Sequence, residues 1–177
     1  MSPEEEAKFS AYVTDRRDRV RRTAYLLCGD WHRADDLTQI AFVKLYGAWR
    51  QIRDHGALDA YVRRCLVRAT VDESRRPWRR EHAVEVLPEP AGTAGVAADL
   101  ASGVVDRQLM RHALAEVPPG QRAVLVLRYY EGMDVAATAA ALECSEGNVK
   151  SQSARGLAAL KAALARSGAS APGGEQW

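Results

Sequence analysis

The 177-residue chain predicts an all-α protein, two small helical domains joined by a flexible acidic linker. Three observations carry that expectation. Apolar residues recur three and four apart through residues 7–80 and again through 104–167, and no stretch sustains the alternation of a strand. Between the blocks, residues 81–103 open with EHAVEVLPEPAGTAGVAADLAS, which mixes Pro, Gly, Ala and acids without an amphipathic period. Charge divides at the same places. Residues 1–80 carry 17 Lys/Arg against 12 Asp/Glu, residues 81–105 four acids and no Lys or Arg, and residues 106–177 eight bases against seven acids. Residues 168–177 are expected to be a flexible tail, with no further regulatory domain.

In the first block, Val20, Ala24, Leu27, Cys28 and Trp31 recur at helical spacing, with Arg16, Arg17, Arg21 and Arg22 among them. Gly29 and Asp30 break the pattern. A second helix is predicted from about Arg33 to Trp49, its apolar stripe being Leu37, Ile40, Ala41, Leu45 and Trp49. Asp54-His55-Gly56 reads as a loop. A third helix runs from Ala57 to about Arg76, where Pro77 interrupts it. A short helix over 96–100 has little periodic support.

The second block begins near Val104. Leu109, Ala113 and Leu114 form a face, and Pro118-Pro119-Gly120 ends that helix. QRAVLVLRYY (121–130) is a compact apolar helix. Val135–Leu142 follows, then a three-residue turn, Glu143-Cys144-Ser145, and a last helix from Glu146 to about Arg166. Two helices joined by a tight turn, the second longer, make a helix-turn-helix layout, although an ordinary helical hairpin reads similarly. Ser145 is placed to cap the last helix. Val149, Leu157, Leu160 and Leu164 form its core face. Glu146, Asn148, Lys150, Ser151, Gln152 and Arg155 are then expected on its exposed N-terminal half, the part that enters a major groove.

Composition excludes several classes. A hydrophobic fraction of 47% fits a folded chain, and no apolar run approaches the roughly 20 residues of a membrane span. MSPEEEAKFSAY lacks the pattern of a secretory signal, so a cytoplasmic protein without membrane insertion is expected. Cys28, Cys65 and Cys144 are an odd, widely spaced set without a CxxC, which favours buried free thiols over disulfides or a metal site. Asp35-Asp36 and Asp72-Glu73 are tight acidic pairs, but no nucleophile-and-base set accompanies them. No enzyme and no cofactor is expected.

Two clusters invite partners. Asp35 and Gln39 share a helix face beside Asp36, and could meet basic groups on a partner or simply be solvated near a positive helix start. DESRRPWRRE (72–81) gathers Arg75, Arg76, Arg79 and Arg80 around Trp78. Arginines so placed neutralise phosphates, and Trp78 with Tyr61 could stack unpaired bases. A solvated helix end and a core tryptophan are the alternatives.

Taken in order, ADDLTQIAFVKLYGAW (34–49), YVRRCLVRATVDESRRPWRRE (61–81) and VPPGQRAVLVLRYYEGMDVAATAAALECSEGNVKSQSARGLAALK (117–161) resemble regions 2.2, 2.3–2.4 and 4 of extracytoplasmic-function (group IV) RNA polymerase sigma factors, with LRYYEG similar to an actinobacterial subgroup. The resemblance implies an alternative sigma factor whose partners are core RNA polymerase and promoter DNA. Asp35, Asp36 and Gln39 would meet the polymerase. Tyr61, Arg68, Arg75, Arg76, Trp78, Arg79 and Arg80 would engage the melted −10 element. Ser145, Glu146, Asn148, Lys150, Ser151, Gln152 and Arg155 would engage the −35 duplex. Control by an anti-sigma factor or by expression level stays open. The chain departs from the family pattern at Arg68 (often Asn), Thr138 (often Ile), Glu143 (often Gly), Asn148 (often Thr) and Gln152 (often Arg), which leaves the promoter sequence open. Asn and Gln suit adenine and Arg suits guanine.

Overall fold

The computed structural model describes residues 1–78 and 107–169. The chain divides into two compact units, Met1–His82 and Ala83–Trp177. Among the described residues every regular element is helical, and no helix is long and apolar enough to cross a membrane. The linker expected over residues 81–103, the short helix over 96–100 and the terminal tail from 170 lie outside the described residues.

The first unit holds helices α1 (Pro3–Cys28), α2 (Trp31–Ala48) and α3 (Leu58–Trp78), with a 3-10 turn at His55–Ala57 before α3. Helix α1 begins with a full capping box. Ser2 Oγ accepts from the Glu5 N–H at 3.2 Å, and Glu5 Oε2 accepts from the Ser2 N–H at 2.8 Å. Pro3 follows at the first helical position, and Glu4, Glu5 and Glu6 favour the positive helix end. Gly29 ends α1 at φ 76°, a left-handed conformation that glycine adopts without a Cβ penalty, and Asp30 then caps α2 by accepting from the Arg33 N–H at 2.8 Å.

Leu27, Leu37, Ala41, Leu45, Trp49, Leu58, Val62 and Leu66 fill the core among the three helices. Tyr12 and Arg16 on α1 reach Asp59 on α3, at 2.7 and 3.3 Å. Three expectations need correction. Ile40, assigned to the core stripe, is 40% exposed, because Phe42 takes the buried position on the turn facing α1. Helix α3 does not stop before Pro77 but continues through it to Trp78, the last described residue of this unit. Only Cys65 is a buried thiol, whereas Cys28 and Cys144 are half-buried beside helix ends.

The second unit holds α4 (Arg107–Glu116), α5 (Pro119–Leu125), a single π turn (Val126–Tyr130), α6 (Val135–Leu142) and α7 (Glu146–Ala169). Pro118-Pro119 separates two helices as expected, and Pro119 also starts the second at its first position. Arg122 is the unexpected core member. Only 8% exposed, it donates through Nη2 to the Ala115 carbonyl at 2.7 Å and the Val117 carbonyl at 2.9 Å, and through Nε to Val117 at 3.2 Å. A buried guanidinium thereby caps the C-terminal carbonyls of α4, which the helix itself leaves unpaired.

Helix α7 packs against α4, α5 and α6. Leu114, Val124, Leu125, Leu127, Val149, Leu157 and Leu160 form the core, while Leu109 and Leu164 are only half-buried. At Gly156 the helices come close: a Cβ there would meet Leu125 Cγ at 3.1 Å and Gln121 Cβ at 3.3 Å.

Candidate polymerase and nucleic-acid interfaces

On α2, Asp35, Asp36 and Gln39 are all exposed. Asp35 is not an open charge. Arg21 of α1 grips it with two hydrogen bonds, Nε to Oδ1 and Nη2 to Oδ2, the latter at 3.1 Å. The same guanidinium lies 4.4 Å from the centre of the Trp31 ring, which stacks on Tyr25 at 3.9 Å. The hydrogen bonds from Arg21 hold the Asp35 carboxyl below its ordinary pKa, with Arg17 and His32 adding to the effect. Asp36 is the carboxylate of the pair that faces outward without this grip.

Asp35 and Gln39 stand on the rim of a groove of about 590 Å³ between α1 and α2, lined below by Phe9, Val13, Phe42, Val43 and Tyr46. Val43 is 65% exposed and Tyr46 47%. Phe9 meets both Tyr46 and Trp49 edge-on, at 5.1 and 5.2 Å, so aromatic rings back one side of the groove. The sequence reading missed this apolar strip. Val43 and Tyr46 stand three and six residues after Ile40, a second stripe beside the core one, and that spacing was the available signal.

On α3, Tyr61 is half-buried, its hydroxyl donating to the Lys44 carbonyl at 3.5 Å, and the Arg64 guanidinium lies 5.6 Å from its ring centre. Arg68 follows on the same face and is exposed. Burial pushes the neighbouring Cys65 thiol up, while Tyr61, Lys44, Arg64 and Arg68 pull against it, so the thiol and the Tyr61 ring beside it lie in a basic setting. That is the chemistry of a phosphate-and-base contact. Arg75, Arg76 and Trp78 continue the α3 backbone, but their side chains, like all of Arg79 and Arg80, lie outside the described residues.

In the second unit, α6 is capped by Asp134, whose Oδ1 accepts from the Ala137 N–H at 2.7 Å. Glu143 closes α6 in the left-handed region, φ 54° and ψ 45°, where the absence of glycine costs strain. Ser145 starts α7, its Oγ accepting from the Asn148 N–H at 3.1 Å. Glu146 and Lys150 are exposed, and Arg155 and Asn148 are half-buried. Ser151 and Gln152, expected on the exposed side, are buried, at 7% and 9% exposure. The reason is that α7 packs against three helices, so residues 151–154 lie inside. Small or flexible polar side chains fit there, and Ser153 accepts from Arg128 Nη1 at 3.0 Å. Among the described residues no group of three or more His, Cys, Asp or Glu side chains is placed to hold a metal ion.

Comparison with known proteins follows this division. The family model of sigma-70 region 2 matches residues 12–80, and that of sigma-70 region 4 matches residues 107–160. The RNA polymerase sigma-E factor of Streptomyces coelicolor is 37% identical over 157 residues, covering 89% of this chain and 86% of that protein. Its counterpart in Streptomyces avermitilis is 37% identical over 164 residues, covering 93% and 89%. The ECF RNA polymerase sigma factor SigM of Mycobacterium tuberculosis is 33% identical over 143 residues, covering 80% and 69%. Among solved structures, the sigma factor RpoE of Bartonella quintana, in complex with the anti-sigma factor NepR, shares the fold with a TM-score of 0.64 at 21% identity, covering 89% of this chain and 97% of that one.

Proposed function

The chain belongs to the sigma-70 family, in its extracytoplasmic-function group, and from that membership we propose how its surfaces divide the work of an alternative sigma factor. Such a factor is not an enzyme. It binds core RNA polymerase, directs it to promoters and takes part in strand opening and initiation. In this reading residues 7–80 form the region 2 domain, which contacts polymerase and the −10 element. Residues 81–103 form the linker, 104–167 the region 4 domain and 168–177 a tail. The site of action is the cytoplasm, where polymerase and promoters meet.

One observation supports the polymerase surface above others. Asp36 and Gln39 stand exposed on α2 beside an apolar groove, with Asp35 already fixed by Arg21. A basic partner helix with an apolar stripe complements both features. On α3, Tyr61, Arg64 and Arg68 offer one aromatic ring beside cations for the −10 strand, with Arg75, Arg76, Trp78, Arg79 and Arg80 following in the sequence. In region 4, the capped start of α7 presents Glu146, Lys150 and Arg155 to the −35 duplex. The RpoE relative is held by an anti-sigma factor, and an inhibitor of that class is a fitting regulator for this chain.

The test is co-migration of the full chain with core polymerase. Asp36→Arg should weaken the complex at least tenfold while leaving helical content unchanged. Undiminished binding by the folded variant would remove α2 from the interface.

A further inference from the structure

We infer that Asp35 is a positioning residue and not a polymerase contact: clasped by Arg21 beside the Trp31–Tyr25 stack, it pins the first turns of α2 to α1 and so presents Asp36. The inference rests on α2 being the polymerase-binding surface.

The lock has two rungs. Arg21 and Tyr25 stand four apart on α1, and Trp31 and Asp35 four apart on α2, so each helix offers two neighbours on one face. In one rung, Arg21 Nε and Nη2 donate side by side to the two carboxylate oxygens of Asp35. In the other, the Trp31 and Tyr25 rings stack at 3.9 Å with 16° between their planes. The Arg21 guanidinium, 4.4 Å from the centre of the Trp31 ring, joins the two. An isolated surface ion pair is worth little. Here one arginine, ordered once, serves both a fork of hydrogen bonds and a ring face.

Burial shows what the lock is needed for. From Trp31 to Asp36 only Ala34 is buried, and the core takes a fuller hold of α2 from Leu37 onward. Ahead of Leu37, the Asp30 cap and the lock tie the helix down. Asp36 lies in this stretch, one residue beyond the clasped carboxylate. A basic group of the partner reaching for Asp35 would also come up against Arg21 and Arg17, both close enough to lower the Asp35 carboxyl. Those like charges oppose it, whereas Asp36 is exposed without this grip.

The experiment measures binding of the full chain to core polymerase and, in the free chain, amide exchange at Ala34 and Asp35. The variants are Arg21→Gln, Asp35→Asn and the two together. Each single variant should speed the exchange and weaken binding about fivefold, within the range for residues of one salt-bridge network. The double variant should bind no worse than either single one. Were Asp35 a contact, Arg21→Gln would unmask its carboxylate and tighten binding, and that result overturns the inference. So do losses that multiply in the double variant, and exchange that stays at the parent rate. Reversing the pair, Arg21→Asp with Asp35→Arg, should bind more tightly than Asp35→Arg alone; a reversal no better than that single change also overturns it. Arg21→Glu with Asp35→Lys replaces the reversed pair should the latter not fold. Asp36→Arg is the control. If it binds like the parent while the exchange changes stand, α2 is not the polymerase surface, and the underlying assignment falls with the inference.

Discussion

Gly156→Ala should destabilise the second unit, although replacing a helix-interior glycine with alanine usually stabilises. The intrinsic gain is about 1 kcal/mol. Against it, the new Cβ would lie 3.1 Å from Leu125 Cγ, 3.2 Å from Leu125 Cδ1 and 3.3 Å from Gln121 Cβ. Leu125 is only 2% exposed and cannot swing aside. Overpacking of that kind costs about 1–3 kcal/mol, so the net change is a loss of about 1 kcal/mol. With a urea slope of about 1 kcal/mol/M for so small a unit, the midpoint should fall by about 1 M. Residues 107–169 contain no tryptophan, whereas Trp49 is buried in the first unit. The loss should therefore appear in the circular-dichroism transition and leave the Trp49 fluorescence transition in place. A circular-dichroism midpoint that rises by about 1 M would refute the close approach of α7 to α5.

Other residues carry their own expectations. Arg122→Met should cost about 3 kcal/mol, because the Ala115 and Val117 carbonyls lose their donors; Arg122→Lys should recover less than half, one ammonium being unable to serve both in the same geometry. Urea titration of both variants measures this. Asp35 titrates below its ordinary value in the folded chain. Its pairing with Arg21 thus contributes above the ordinary carboxylate pKa and is lost only as pH falls through the lowered folded value. Carboxyl NMR should show that low midpoint, and Arg21→Gln should return it toward the usual range. Neutralising Arg75, Arg76, Arg79 and Arg80 together should weaken opening of a duplex promoter and flatten its salt dependence, with a smaller effect on a template pre-melted at −10. Equal opening at elevated salt would make the cluster a solvated helix end.

The helices were legible because their signals are local. Ser145 ahead of the last helix, Gly29-Asp30 between the first two, and the spacing of Leu37, Ala41 and Leu45 each report on a few neighbours in sequence. What escaped depends on chain segments meeting from afar. Arg21 and Asp35 are fourteen residues apart and on different helices, so the pairing that removes Asp35 from the open surface leaves no periodic trace. Arg122 reads as a surface charge until the α4 carbonyls fold over it. Ser151 and Gln152 look solvent-facing by type, yet a helix packed against three others buries residues on more than one side. Thr138 is likewise fully buried, with its hydroxyl donating to the Asp134 carbonyl at 2.7 Å. The motifs that carry the family resemblance suffer less from this, since their order along the chain survives any error about which face is exposed.

The central claim, that this chain confers promoter specificity on RNA polymerase, is tested most directly by start-site mapping of transcripts made by core polymerase with and without the full chain. The account predicts initiation at a defined site only when the chain is present, lost on altering the −35 element and sharply reduced by Lys150→Ala with Arg155→Ala. Sequence-specific binding of the chain alone to duplex DNA, with no chain-dependent initiation by the polymerase, would contradict it and mark a stand-alone helix-turn-helix regulator.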